Sequence, residues 1–140
     1  MRSANLEKLN RIVREKGQPF RILIVDDEPW IREVFHDFCE LTDAFEVDMA
    51  SSGDEAVDKV KTENYDLVTM DLIMPEMSGL ETLVKIKDMA PRIPIMVITG
   101  NATEKLINQA GVLGACQVMH KPVMLDDFIA GLTATLTRSM

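Results

Sequence analysis

The sequence has 140 residues, a formal net charge of −8 and a pI near 4.7. That length suits one domain with its own core, and 46% hydrophobic with 27% charged residues is typical of a globular protein. An acidic chain lacks the broad basic surface that neutralises phosphates, so we expect no direct nucleic acid partner. A cation, or a partner with a basic face, fits this charge better.

Cysteine usage and hydropathy indicate the compartment. Cys39 and Cys116 stand far apart with no metal-binding spacing, which favours buried thiols in a reducing environment. No apolar run approaches the roughly 18 residues that a membrane span needs, and the start shows no secretory signal. We therefore predict a cytoplasmic protein without a membrane partner.

Residues 1–19 are predicted to form an N-terminal helical extension, which ends at the Gly-Gln-Pro of residues 17–19. Its apolar residues recur at helical spacing: Leu6, Leu9, Ile12 and Val13. Residues 1–16 hold five basic and two acidic side chains, unlike the acidic remainder. Two alternatives stay open: a docked or self-associating amphipathic helix, or an exposed extension.

From residue 20 to residue 140, strand and helix patterns alternate in what we predict to be a single domain. Apolar runs predict strands at 22–25, 45–50, 67–70, 95–98 and 116–120, and helical spacing predicts a helix after each. Pro29 suits the first turn of the first of these helices. Three later helices are predicted to begin with a capping box, at Ser52, Ser78 and Asn101. This rhythm predicts an α/β fold, a doubly wound five-stranded parallel sheet of flavodoxin-like order 2-1-3-4-5.

Reactive side chains stand at the carboxyl ends of four predicted strands: Asp26, Asp27, Asp71, Thr99 and Lys121. In a parallel sheet these ends share one edge, where such folds bind ligands. Three carboxylates meeting there repel one another unless a cation lies between them. A few hard oxygen ligands with room for water suit Mg²⁺ better than Ca²⁺.

An ammonium and a hydroxyl beside such a cation are suited to hold a phosphoryl group. We therefore predict that Asp71 is a nucleophile that forms an acyl phosphate. Lys121 would neutralise the product. Each of these residues alone is equally compatible with a helix cap, a strand end or a surface charge, so the prediction depends on their joint position.

The chain from about residue 21 to residue 136 resembles the receiver domain of two-component response regulators. The matching motifs are Ile-Leu-Ile-Val-Asp26-Asp27-Glu-Pro, Tyr65-Asp-Leu-Val-Thr-Met-Asp71-Leu-Ile-Met-Pro-Glu-Met-Ser-Gly79, Val-Ile-Thr99-Gly100 and His120-Lys121-Pro122.

The resemblance implies that Asp71 accepts a phosphoryl group from a sensor histidine kinase or a histidine phosphotransfer protein. It also implies a Mg²⁺ site, in which Asp27, Asp71 and the backbone carbonyl of Ile73 bind the ion directly. Asp26 would assist, largely through water. Thr99 and Lys121 would contact the phosphoryl oxygens.

Two positions bear on how such a switch works. The family usually has an aromatic side chain three residues before the lysine, and here that position is Val118. A stiff β-branched side chain cannot act as an aromatic rotamer switch, so we expect the segment 101–104 to carry the signal instead. Ile73 is apolar and cannot position an attacking water, so we expect an acyl phosphate that is not especially short-lived.

We favour a stand-alone phosphorylation switch that has no effector domain and does not turn over a separate substrate. Its downstream protein is unknown, and a homodimer is possible. The alternative is a phosphorylation-independent scaffold with the same fold, which would not need all five reactive residues. A phosphohydrolase of the haloacid dehalogenase type would have an acid where Ile73 stands. A Rossmann nucleotide site would have a glycine-rich turn where the chain has Asp-Asp-Glu-Pro.

Overall fold

The computed structural model describes the backbone of residues 3–138 and the side chains of residues 7–138. Arg2 and Leu6, which belong to the predicted amphipathic helix, lie outside the described side chains. In chain order the elements are α1 (Ser3–Lys16), β1 (Phe20–Val25), α2 (Pro29–Glu40), β2 (Phe45–Ala50), α3 (Gly53–Thr62), β3 (Leu67–Met70), α4 (Gly79–Met89), β4 (Ile95–Thr99), α5 (Glu104–Val112), β5 (Ala115–His120) and α6 (Leu125–Arg138).

The five strands form one parallel sheet in the order β2-β1-β3-β4-β5. Apolar side chains of α1, α2 and α6 cover one face of the sheet, and those of α3, α4 and α5 cover the other. Both faces of the central strands are therefore buried, which explains why β3 and β4 are apolar apart from Thr69 and Thr99. The predicted fold class and strand order are confirmed.

Most predicted boundaries lie within one or two residues of the observed ones, and one helix start was wrong. Ser52 and Ser78 accept hydrogen bonds from the backbone N–H three residues later, as predicted. The Asn101 capping box does not form. Thr103 is the N-cap of α5, because its extended backbone lets its hydroxyl accept a hydrogen bond from the N–H of Leu106 at 3.2 Å.

Helix α1 is docked on the domain, which decides between the two alternatives left by its sequence. Leu9 is fully buried in the same apolar cluster as Phe20 and Leu136. Gly17, with φ of 83°, ends the helix, and its N–H donates to the carbonyl of Val13 at 2.8 Å. The helix therefore closes the part of the core near the start of β1 and the end of α6.

We predict that Leu9→Ala lowers the free energy of unfolding by about 2–4 kcal/mol, because it leaves a cavity in the core. Urea denaturation measures this difference. Lys8→Ala removes an exposed neighbour on the same helix and is expected to change stability by less than about 0.5 kcal/mol. Equal stability of the two variants would contradict the docked position of α1.

Candidate functional site

The register of the central strands brings two acids together. Val25 at the end of β1 pairs with Met70 at the end of β3, so Asp26 and Asp71 follow side by side. The backbone N–H of Asp71 donates to the carbonyl of Val25 at 3.1 Å, which continues the parallel ladder by one residue. Both acids are buried, with Asp26 2% and Asp71 5% exposed.

Gly79 allows the loop after Asp71 to turn back tightly. Its N–H donates to the carbonyl of Leu72 at 3.1 Å. A Cβ added to Gly79 would lie 2.2 Å from the backbone oxygen of Asp71 and 2.4 Å from the Cα of Leu72. No side chain fits in that space, so the start of α4 can lie against the Asp71 loop only if residue 79 is glycine.

The Asp71 carboxylate accepts three hydrogen bonds from three different parts of the chain. Its Oδ1 accepts from the hydroxyl of Thr99 at 3.0 Å and from the backbone N–H of Ile73 at 3.1 Å. Its Oδ2 accepts from the ammonium of Lys121 at 3.0 Å. The side chain is therefore held between the ends of β3, β4 and β5.

The Lys121 ammonium lies among three carboxylates. Its Nζ is 2.7 Å from Asp26, 3.0 Å from Asp71 and 3.5 Å from Glu28. The following peptide bond, Lys121–Pro122, is cis. Among the described residues, Lys121 is the only cation within ion-pair distance of these acids, so it carries most of their charge compensation.

Four acids converge at this end of the sheet: Asp26, Asp27, Glu28 and Asp71. Each offers a carboxylate oxygen, and these oxygens lie within 4.8 Å of one another. Two like charges about 5 Å apart repel by roughly 3 kcal/mol at an effective dielectric constant of 20. Four carboxylates beside one ammonium can therefore hold a divalent cation. A cavity of about 220 Å³ opens beside them, and its lining also includes Ile73, Gly100 and Asn101.

Burial and charge crowding act on the two central ionisable groups in different ways. Burial raises the pKa of Asp26 above its usual value, and the hydrogen bond from Lys121 offsets only part of that rise. Burial alone would lower the pKa of Lys121, but its hydrogen bonds to Asp26 and Asp71 raise that pKa overall. Lys121 is therefore charged at neutral pH, while the ionised form of Asp26 is disfavoured by its surroundings.

Other parts of the described surface have less suitable chemistry. A groove of about 500 Å³ lies between β5 and α6, but Asp127 is the single carboxylate among its lining residues. We therefore place the functional site at the carboxylate cluster around Lys121, where charged groups converge, and not at this groove. No helix in the described part of the chain is long and apolar enough to cross a membrane.

The structure brings the predicted residues together and adds others. Asp26, Asp27, Asp71, Thr99 and Lys121 meet as expected, and the N–H of Ile73 contacts Asp71.

Sequence reasoning missed Glu28, which joins the acidic cluster, and Arg32, whose guanidinium donates to the backbone carbonyl of Asp26 at 2.6 Å. The run of three acids that begins at Asp26 was the available signal for Glu28. Arg32 left no such signal, because one arginine on a helix suggests solvent exposure.

Comparison with known proteins identifies close relatives of the whole domain. The family model described as "Response regulator receiver domain" matches residues 22–133. Transcriptional regulatory protein TrcR of Mycobacterium tuberculosis is 31% identical over 140 residues, which cover 99% of this chain and 53% of that protein. Chemotaxis protein CheY of Bacillus subtilis is 35% identical over 117 residues, which cover 83% of this chain and 97% of that protein.

Solved structures agree with these relatives. The crystal structure of a CheY-like response regulator receiver domain protein from Methanospirillum hungatei superimposes with a TM-score of 0.83 at 28% identity. The match covers 86% of this chain and 96% of that one. The chain spans about half the length of several curated relatives that it matches, including TrcR, and nearly all of CheY.

We predict that Asp26→Asn raises the free energy of unfolding by about 1 kcal/mol at pH 7 without divalent cations, because it removes a charge that burial disfavours. Lys121 keeps Asp71 and Glu28 as partners in this variant. The folded-state pKa of Asp26 is raised, so ionised Asp26 lowers the free energy of unfolding at pH 7. This destabilisation disappears as pH falls towards the pKa of about 4 that an aspartate has in the unfolded chain.

The extra stability of Asp26→Asn over the wild type should therefore shrink between pH 7 and pH 4. Urea denaturation in the presence of a chelator, at several pH values, measures this difference. Asp43→Asn removes an exposed acid and serves as the control. A loss of stability on Asp26→Asn at pH 7 would show that its ion pair with Lys121 outweighs the crowding.

Proposed function

The chain belongs to the response regulator receiver domain family, and we propose that it is a switch that is phosphorylated on Asp71. The observation that carries this proposal is the Asp71 carboxylate, buried at a strand end between a hydroxyl and an ammonium. Two side-chain donors contact the Asp71 carboxylate, which also lines an open cavity. That arrangement suits an oxygen that gains and loses a phosphoryl group.

In the proposed reaction an Asp71 oxygen attacks the phosphorus of a phosphohistidine. A new O–P bond forms, the N–P bond of the donor breaks, and its electron pair stays on the imidazole nitrogen. The donor would be a sensor histidine kinase or a histidine phosphotransfer protein. The chain is then its own phosphoryl acceptor, and we expect no turnover of a separate substrate.

Thr99 and Lys121 would move from the carboxylate to the phosphoryl oxygens. Both already donate to Asp71 at 3.0 Å, Thr99 to Oδ1 and Lys121 to Oδ2. A phosphoryl group attached to Asp71 places its oxygens farther along the same directions, so each donor can follow with a small displacement. Charge-assisted hydrogen bonds of this kind stabilise the transferred group.

The donor set also fits a Mg²⁺ ion. Asp26, Asp27 and Asp71 supply hard carboxylate oxygens close together, and the cluster has more negative charge than Lys121 compensates. When bound, the ion would offset charge on the transferring group. The chain's own residues supply the nucleophile, the hydroxyl and the ammonium.

The altered state would be recognised by a downstream protein, as part of this chain's signalling role. The relatives include proteins about twice as long and one of similar length, and the chemistry at Asp71 would be the same in either setting. The competing function, a scaffold that works without phosphorylation, does not require the hydrogen bonds from Thr99 and Lys121 to one carboxylate.

We predict that the wild-type protein gains a single phosphoryl group when incubated with acetyl phosphate and Mg²⁺, as measured by intact mass. Asp71→Asn should gain none, because its amide is not a nucleophile. Asp43→Asn removes an exposed acid outside the cluster and should react like the wild type. Folded protein that binds Mg²⁺ but forms no adduct would favour the scaffold.

We also predict that Ile73→Asn shortens the lifetime of the phosphorylated protein by about three- to tenfold, since a polar side chain there can position a water molecule. Ile73 is 51% exposed and lines the cavity beside Asp71. Decay of the adduct by intact mass, after removal of the donor, gives the rate. Ile73→Val is the matched control, and equal lifetimes for all three proteins would refute the role of Ile73.

A further inference from the structure

Glu28 is the residue directly before α2, but its side chain does not cap that helix. Its backbone is extended, with φ of −88° and ψ of 115°, and it occupies the N-cap of α2 without capping the helix by its side chain. The backbone N–H of Glu28 instead donates to Asp26 Oδ1 at 3.0 Å. The carboxylate of Glu28 is therefore free to make contacts away from its own helix.

The two oxygens of Glu28 face different partners. Oε1 lies 3.5 Å from the ammonium of Lys121. Oε2 accepts a hydrogen bond from the indole Nε1 of Trp30 at 3.0 Å. One planar carboxylate thus connects the charged centre of the site with an aromatic side chain on the surface.

Trp30 lies beside an apolar groove that adjoins the site. Its side chain is 61% exposed. The groove has a volume of about 330 Å³, and its lining includes Glu28, Trp30, Phe35 and Lys121. The indole N–H is oriented towards Glu28 by their hydrogen bond, while the ring itself lines the groove.

We infer that Glu28 is a positioning residue that couples cation occupancy of the carboxylate cluster to the orientation of Trp30. This inference rests on the proposed function, because it takes the cluster to be a cation site. Lys121 is repelled by a cation that binds the oxygens of Asp26 and Asp71, and the cation compensates part of the charge on those oxygens. When they are engaged, Glu28 is the remaining carboxylate within ion-pair distance of Lys121.

The geometry of the carboxylate makes the coupling direct. Both oxygens of Glu28 turn together about the same bond, and this torsion is soft. A stronger attraction of Lys121 to Oε1 therefore displaces Oε2 from the indole of Trp30. Loss of that hydrogen bond frees the indole and changes the edge of the groove.

Trp30 is the single tryptophan in the chain, so its fluorescence reports this change without labelling. The experiment titrates the full chain with Mg²⁺ alone, recording tryptophan emission and, in parallel, binding by calorimetry. For the wild type we expect a saturable change of emission with the same midpoint as the calorimetric binding.

Three variants separate coupling from binding. Glu28→Ala should still bind Mg²⁺ through the three carboxylates that remain, with a lower affinity, but should lose at least about four fifths of the emission change. Glu28→Gln keeps an acceptor for Trp30 and lacks the charge, so it should start from wild-type emission and also lose the change. Glu33→Ala removes an exposed acid from the same helix and should behave as the wild type.

The possible outcomes are distinct. A full emission change in Glu28→Ala, or wild-type binding with no emission change, would overturn the role of Glu28 and leave the proposed function intact. The expected emission pattern without phosphorylation by acetyl phosphate would support Glu28 and overturn the proposed reaction. Absence of calorimetric binding in the wild type would overturn both the coupling and the cation site.

Discussion

The electrostatic crowding at one end of the sheet is the constraint on which the site depends. Four carboxylates lie within a few ångströms of one another. Among the residues that the structure describes, Lys121 supplies the ammonium group between them. Burial of Asp26 and Asp71 strengthens both their mutual repulsion and their attraction to Lys121, because little water reaches these two carboxylates. The raised pKa of Asp26 is one result of this balance. An arrangement with excess negative charge is poised to take up a positive ligand, and it does so at the expense of stability without that ligand.

The parallel sheet makes this crowding possible without strain in the strands. Because Val25 pairs with Met70, the next residues of β1 and β3 are neighbours at the same edge. Thr99 is the last residue of β4, and Lys121 follows β5 directly, with its N–H donating to the carbonyl of Thr99 at 3.0 Å. Strand register therefore sets the distances among the reactive groups, and Gly79 lets the loop after Asp71 stay close to them.

The fold and the central site were predictable because their signals are local and repeated. Alternating apolar runs and helical stripes define the elements, and acids at strand ends define the edge of the sheet. The other features depend on tertiary contacts. The predicted N-cap of α5 was wrong because Asn101 and Thr103 are both capping residue types. Which of the two caps the helix depends on the backbone direction at each residue. The periodicity of α1 does not identify the surface on which Leu9 is buried. In the sequence Glu28 is only the acid before Pro29, and its contacts with Lys121 and Trp30 exist only in the folded chain.

Asp71 is connected by separate hydrogen bonds to two sides of the domain. Through Oδ1 it contacts Thr99, which leads to the segment before α5, and through Oδ2 it contacts Lys121, beside Glu28 and the start of α2. A change of charge or volume at Asp71 must alter both sets of contacts, since neither donor can stay in place unchanged. On the Thr99 side, Val118 stands where the family usually has an aromatic residue. It packs against the apolar cluster between the sheet and helices α3, α4 and α5. The second side has an exposed indole hydrogen-bonded to the carboxylate that lies next to Lys121. By this argument, the contacts of Asp71 lead to the surface around Trp30 as well as to the surface around α5.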